Sequence, residues 1–182
     1  MKVGFDLDGV IADHTLAKIK LAADFGFRIQ QKDTPSEILK TILPSDVLEK
    51  LQGNLYDSLY QESSLMSGAR EAFEKISAKN LPFFLISRRK QPLAAVKFLI
   101  REKLWPRFFN KTNTFFVVEK EEKDTKAKKL KITHYFDDET GVLEKLKSVS
   151  NKFLFDNHNV FPESAFYKKV SSWEDIKKQL QL

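Results

Sequence analysis

The sequence predicts an α/β protein: a Rossmann-like parallel sheet of about five strands with helices on both faces, plus a small all-helical insert. Three observations predict it. Short apolar runs alternate with segments of helical periodicity along most of the chain. One run, LPFFLIS at 81–87, is apolar almost throughout, as a strand buried on both faces requires. Between the first run and the second, residues 14–64 carry helical patterns alone, which marks an insert.

The elements follow in order. KVGFDL opens the chain as the first strand. HTLAKIKLAADFGF begins the insert, Pro35 opens a short helix around Ile38, Leu39 and Ile42, and Ser45 caps a helix carrying Leu48, Leu51, Leu55 and Leu59. Ser67 caps GAREAFEKISAK, whose Ala72, Phe73 and Ile76 share a face. LPFFLIS is the second strand. Pro92 stands in the first turn of a helix with Leu93, Val96, Ile100 and Leu104 at helical spacing. NTFFVVE at 113–119, THYFDD at 133–138 and NKFLFDN at 151–157 are the remaining strands. KDTKAKKLK, TGVLEKLKSV and SWEDIKKQLQ are the helices between and after them, the last capped by Ser172. The boundaries predicted are 1–13 with 65–182 for the α/β core and 14–64 for the insert.

Composition narrows the chemistry. The chain has 182 residues and no cysteine, which excludes disulfides, thiol catalysis and zinc–thiolate sites. No run approaches the roughly 20 apolar residues that span a bilayer. Asp6, Asp8, Asp13 and Lys18 interrupt the first stretch, so it does not read as a signal peptide, and a cytoplasmic location is expected. The net charge of +6 favours an anionic partner. The densest basic run, KEEKDTKAKKLK, interleaves acids, so a solvated surface accounts for most lysines and nucleic acid is not the expected partner.

The acidic residues are the informative ones. Residues two apart in an extended chain point the same way, so Asp6 and Asp8 can face one site at the carboxyl end of the first strand. Open parallel sheets bind ligands at that edge. The second strand ends in Ser87, Arg88 and Arg89, and the fourth in Asp137 and Asp138. Four carboxylates at one sheet edge either protonate or bind a cation, since buried unpaired carboxylates cost several kcal/mol each. All-oxygen donors suit Mg²⁺. A calcium loop of the EF-hand type is excluded, because the glycine of DLDG comes too early and a strand precedes it.

FDLDGVIAD, FFLISRR and HYFDDE, in that order, resemble motifs one, two and four of the haloacid dehalogenase (HAD) superfamily, and the resemblance covers the whole chain. It implies that Asp6 is a nucleophile and Asp8 a general acid/base. An acid at the Asp8 position marks the phosphatase and phosphotransferase members. The resemblance further implies that Ser87 donates to the phosphoryl group; Arg88 and Arg89, next in the chain, are of a type that could touch phosphate. The motif-three lysine is matched by spacing to Lys123, fourteen residues before Asp137, with Lys120 and Lys126 as alternatives. Mg²⁺ would be held by Asp6, the Asp8 carbonyl and Asp137 or Asp138. The insert resembles the small helical cap that such enzymes carry after motif one.

KFLFDNHNVF at 152–161 and VSSWEDI at 170–176 are similar to the ending of the 5'(3')-deoxyribonucleotidase branch. Here Asn157 stands in place of its proline and His158 in place of its aromatic residue. The resemblance implies a small phosphorylated substrate, a nucleoside monophosphate first. A sugar phosphate is the alternative, and a non-catalytic binding protein on the same scaffold the second. Phe25, Phe27, Tyr56 and Tyr60 are of the type that stacks on a base, although core packing is the commoner use of each. His14, His134 and His158 receive no role.

Overall fold

A computed structural model describes residues 1–182, apart from the side chains of residues 57–61. Leu59 and Tyr60, considered above as a core and a stacking residue, therefore lie outside the described side chains. Strand β1 (Val3–Phe5) is flanked on both sides in a fully parallel six-stranded sheet. The other strands of that sheet, in chain order, are β4 (Phe83–Arg88), β5 (Thr114–Val117), β6 (His134–Asp137), β7 (Asn151–Phe155) and β8 (Lys168–Val170), after the short strands β2 (Ala12–Asp13) and β3 (Ser64–Leu65). The spatial order is β5-β4-β1-β6-β7-β8. The chain thus fills one side of β1 and then the other, and the order reverses at β1, where α/β sheets place their crevice.

The five expected strands are all present, and β8 is a sixth. It pairs only with β7, is three residues long and reads KKV, so it carried no apolar run to reveal it. Lysines suit an exposed edge strand. Gly4 is fixed by packing: a Cβ there would lie 2.4 Å from the Tyr135 ring, whose hydroxyl donates to the Ile86 carbonyl at 2.8 Å.

Helices α4 (Ala69–Ala78), α5 (Leu93–Arg101), α6 (Lys120–Leu130), α7 (Thr140–Leu143) and α8 (Trp173–Gln179) cover the sheet, after α1 to α3 of the insert. Three expectations need correction. Ser45 is the first residue of its helix, Ser45–Glu62, and Pro44 holds the cap position, its carbonyl accepting the Leu48 N–H at 2.9 Å. The cap of α4 is Gly68, with φ +81°, and not Ser67. A side chain there would crowd Trp173, so the tight approach of α8 selects glycine. TGVLEKLKSV forms only the four-residue α7, after which Leu146 and Val149 reach the core from turns. Ser172 does cap α8, its hydroxyl accepting the Asp175 N–H.

The insert comprises α1 (Thr15–Asp24), a 3₁₀ turn (Gln31–Asp33), α2 (Ser36–Ile42) and α3 (Ser45–Glu62). It is not helical throughout: Asp13 and Ser64 pair in the antiparallel β2–β3 ribbon, through which the chain leaves and re-enters the sheet domain. The insert has its own apolar cluster of Ala22, Leu39, Leu43 and Leu51, against which Phe25 and Phe27 pack. It also grips the core. The Glu37 carboxylate on α2 accepts from the Thr140 hydroxyl at 2.8 Å and from the Gly141 N–H at 3.0 Å, at the start of α7.

Behind the sheet edge, Trp173 is buried against Phe5 at 5.3 Å and Phe73 at 5.0 Å. Its indole N–H donates to the Val10 carbonyl at 2.9 Å, which pins the loop following β1. Trp173→Phe keeps the aromatic packing and leaves that buried carbonyl unpaired. It is expected to cost about 1–3 kcal/mol in urea unfolding with an unchanged m-value. A loss under about 0.5 kcal/mol would contradict that role of the indole.

Candidate active site

Asp6 lies one residue beyond β1. Its N–H donates to the Phe136 carbonyl at 2.9 Å, so the pairing with β6 continues and brings Asp6 beside Asp137. Lys123 reaches both from α6. Its ammonium is 2.7 Å from Asp137 Oδ2 and 3.0 Å from Asp6 Oδ1, and the side chain is only 2% exposed. Ligand-type oxygens of Asp6, Asp137 and Asp138 all lie within 4.8 Å of one another. Asp137 is fully engaged, since its other oxygen accepts the Glu139 N–H at 3.0 Å. The loop after β1 is pressed against Asp138: a Cβ on Gly9, at φ +74°, would fall 2.2 Å from Asp138 Oδ2.

Asp6 and Asp137 share Lys123, and the electrostatics follow. Burial drives Asp6 up to about 7, with Lys123 opposing and Asp137 and Asp8 adding to the rise. Burial and the neighbouring Asp137, Glu139 and Asp6 push Asp138 well above the usual carboxylate range. Burial alone would lower Lys123, but Asp137 and Asp6 outweigh it and hold the ammonium firmly charged. The cluster has an excess of buried negative charge and only oxygen donors, which suits a hard divalent cation.

Asp8 belongs to a separate network. One guanidinium nitrogen of Arg89 is 2.8 and 2.6 Å from its two oxygens. His14 Nε2 lies 2.9 Å from Oδ1, and His14 Nδ1 lies 2.6 Å from Ser63 Oγ. Burial would raise the Asp8 carboxyl, but Arg89 and His14 outweigh it and keep it well below the usual range.

These groups meet in one small cavity of about 30 Å³, lined by Asp6, Asp8, Lys123 and Asp138 from the core and by Lys18, Leu51, Leu55 and Tyr56 from the insert. That is room for one water. A second cavity of about 630 Å³ adjoins it and shares Ser36, Gln52, Tyr56, Arg88 and Glu139.

The sequence-predicted residues are thus placed as follows. Asp6, Asp8, Lys123 and Asp138 line the small cavity, and Asp137 sits behind Lys123. Among the three candidate lysines, Lys123 alone reaches the cluster; Lys120 pairs with Glu139 at 2.6 Å, and Lys126 lies over the Phe115 ring at 4.4 Å. Arg88 lines both cavities and sits 3.6 Å from Glu139. Ser87 is fully buried at the end of β4, and its hydroxyl has no hydrogen-bond partner among the described residues.

Two residues, His14 and Lys18, escaped the sequence reading, and Arg89 figures in it only as a possible phosphate contact beside Arg88. The grip of Arg89 on Asp8 follows from strand geometry: Ser87 and Arg89 are two apart, and the Arg89 N–H donates to the Val117 carbonyl at 2.7 Å, so both turn inward. His14 and Lys18 carried no usable signal. The buried Lys18 ammonium donates to the Thr34 carbonyl at 2.8 Å and lines the small cavity, so the insert contributes a cation to the carboxylate site.

No protein-family model and no curated protein sequence matches the chain. Solved structures do. A HAD family hydrolase from Deinococcus radiodurans R1, with bound phosphate and sodium, superposes with a TM-score of 0.67 at 14% identity, covering 98% of this chain and 94% of that one. A Thermotoga maritima protein provisionally assigned as a β-phosphoglucomutase gives 0.63 at 17% identity, covering 100% and 99%. A Lactobacillus plantarum protein provisionally assigned as a phosphoglycolate phosphatase gives 0.63 at 14%, covering 97% of each chain. At such identities the likeness establishes architecture: this chain has the fold of the haloacid dehalogenase-like hydrolases.

Proposed function

We propose that this protein is a Mg²⁺-dependent phosphomonoester hydrolase that works through an aspartyl-phosphate on Asp6, with nucleotides as its first substrate class. The observation that carries the reading is the Asp6–Lys123–Asp137–Asp138 cluster beside a separately held Asp8, at the sheet's switch point.

Asp6, Asp138 and the Asp8 main-chain carbonyl would hold the metal, while Asp137, with both oxygens engaged, keeps Lys123 in place. Bound Mg²⁺ would supply charge neutralisation for the carboxylates and the phosphoryl oxygens. Asp6 attacks phosphorus and the ester oxygen leaves with a proton from Asp8. Water then attacks the phosphoaspartate, Asp8 takes a proton from it, and inorganic phosphate leaves with Asp6 restored. Lys123, Arg88 and the unpaired Ser87 hydroxyl are the donors assigned to the phosphoryl oxygens. Because Arg89 and His14 hold Asp8 ionised, proton donation requires Arg89 to loosen its grip.

Residues 1–13 and 65–182 form the catalytic core in this reading, and 14–64 the cap. A 30 Å³ space at the carboxylates is a closed state, with Leu51, Leu55 and Tyr56 excluding water. Entry of substrate requires the cap to open, against the Glu37 contacts to α7. A nucleotide fits the larger cavity by size, about 630 Å³, with Tyr56 on its wall. The provisional names of the T. maritima and L. plantarum neighbours favour a sugar phosphate or small phosphorylated acid as the alternative. A binding protein without turnover has no use for the whole carboxylate–lysine set. No helix among the described residues is long and apolar enough to cross a membrane, and the substrate class is water-soluble.

Phosphate release from a panel of nucleoside 5'- and 3'-monophosphates and sugar phosphates tests the reading. Turnover is expected with Mg²⁺ and not with EDTA. Asp6→Asn and Asp8→Asn are each expected to lower kcat by on the order of 10³-fold or more while the protein stays folded. Wild-type rates in either variant overturn the mechanism.

The metal also carries a pH signature. Asp6 titrates near 7 when folded against 3.8 ordinarily, so the native state holds its proton more tightly. The stability this gives the metal-free protein is whole at low pH and is lost as pH rises through 7. Mg²⁺ binds the ionised form, so its stabilising effect is expected to grow between about pH 5 and 8. A Mg²⁺-induced rise in Tm that is flat or falling across that interval contradicts the assignment.

A further inference from the structure

The larger cavity carries more basic groups than hydrolysis at Asp6 uses. Lys40 comes to it from α2, Arg88, Arg89 and Lys90 from the end of β4, and Lys97 from α5; Glu139 is the one acid on its wall among the described residues. Arg89 is the decisive member. It is 8% exposed, one nitrogen serves Asp8, and its Nε and Nη1 have no hydrogen-bond partner among the described residues. The Tyr56 ring covers the guanidinium at 4.7 Å but accepts no conventional hydrogen bond from it. Buried donors left unpaired are rare in native proteins, and each guanidinium N–H suits an oxygen of a carboxylate or phosphate. Arg89 therefore joins the two cavities: it holds Asp8 on one side and lines the basic chamber on the other.

We infer that the substrate carries a second anionic group, a phosphate or a carboxylate, which Arg89, Lys40 and Lys90 bind in the larger cavity while Asp6 faces the scissile phosphate. The inference rests on the hydrolase reading and narrows it. A plain nucleoside monophosphate lacks the second group; a nucleotide substrate would carry phosphate at both ends of its sugar, and a sugar phosphate a far-end carboxylate or phosphate.

Binding to the Asp6→Asn protein in Mg²⁺, measured by calorimetry, tests this without turnover. Two matched pairs separate the sources of the anion: thymidine 5'-monophosphate against thymidine 3',5'-bisphosphate, and glucose 6-phosphate against 6-phosphogluconate. In at least one pair the ligand with the second anion is expected to bind at least about tenfold tighter. The double variant Lys40→Gln, Lys90→Gln is expected to reduce that preference to about threefold or less. Lys152→Gln removes the same kind of charge at the opposite, amino-terminal end of β7 and is expected to keep it. Equal affinities within both pairs, no binding of either second-anion ligand, or a preference that survives the double variant overturns the inference. Loss of phosphate release across the earlier panel would instead strike the hydrolase reading.

Discussion

The ammonium of Lys123, buried between Asp6 and Asp137, is the interaction on which the rest of the site depends. Without a cation there, three carboxylates within 4.8 Å could not be kept ionised in the protein interior. With Lys123 and Lys18 the charge is only partly balanced, and the raised Asp6 and Asp138 register the shortfall. The site thus keeps an excess of buried negative charge that a bound divalent cation would offset.

The fold supplies this arrangement by register. Parallel pairing of β1 with β6 sets Asp6 beside Asp137, and α6 passes close enough for Lys123 to reach both. Trp173 secures the loop that follows Asp6, and Gly9 lets that loop run against Asp138. The insert then closes over the cluster, bringing Lys18 and Tyr56 and anchoring itself to α7 through Glu37. Arg89 links this closed chamber to the basic cavity next to it, holding Asp8 on one side and lining that cavity on the other.

Much of this was legible in the sequence because it is local. Strands show as short apolar runs, LPFFLIS apolar almost throughout, and all five runs read this way are strands. The acids at the ends of KVGFDL and THYFDD stood out because charge is unexpected there. Lys123 came from the resemblance to motif three, by its spacing to Asp137, ahead of Lys120 and Lys126. What stayed hidden is set by tertiary contact. β8 is too short and too basic to show a pattern, and it exists because β7 offers it an edge. Gly68 rather than Ser67 caps α4 because Trp173, more than a hundred residues later, crowds the position. The Arg89–Asp8–His14 network joins three segments with no fixed spacing, and the adjacent arginines differ only in which side of the strand they take.

The most direct test of the account is a crystal structure of the protein with Mg²⁺ and beryllium fluoride, which mimics a phosphoryl group on a carboxylate. The account predicts the fluoride adduct on Asp6, with Mg²⁺ held by Asp6 and Asp138 and the Lys123 ammonium beside the adduct. An adduct on Asp8, or a metal bound away from the Asp6–Asp138 pair, would contradict it.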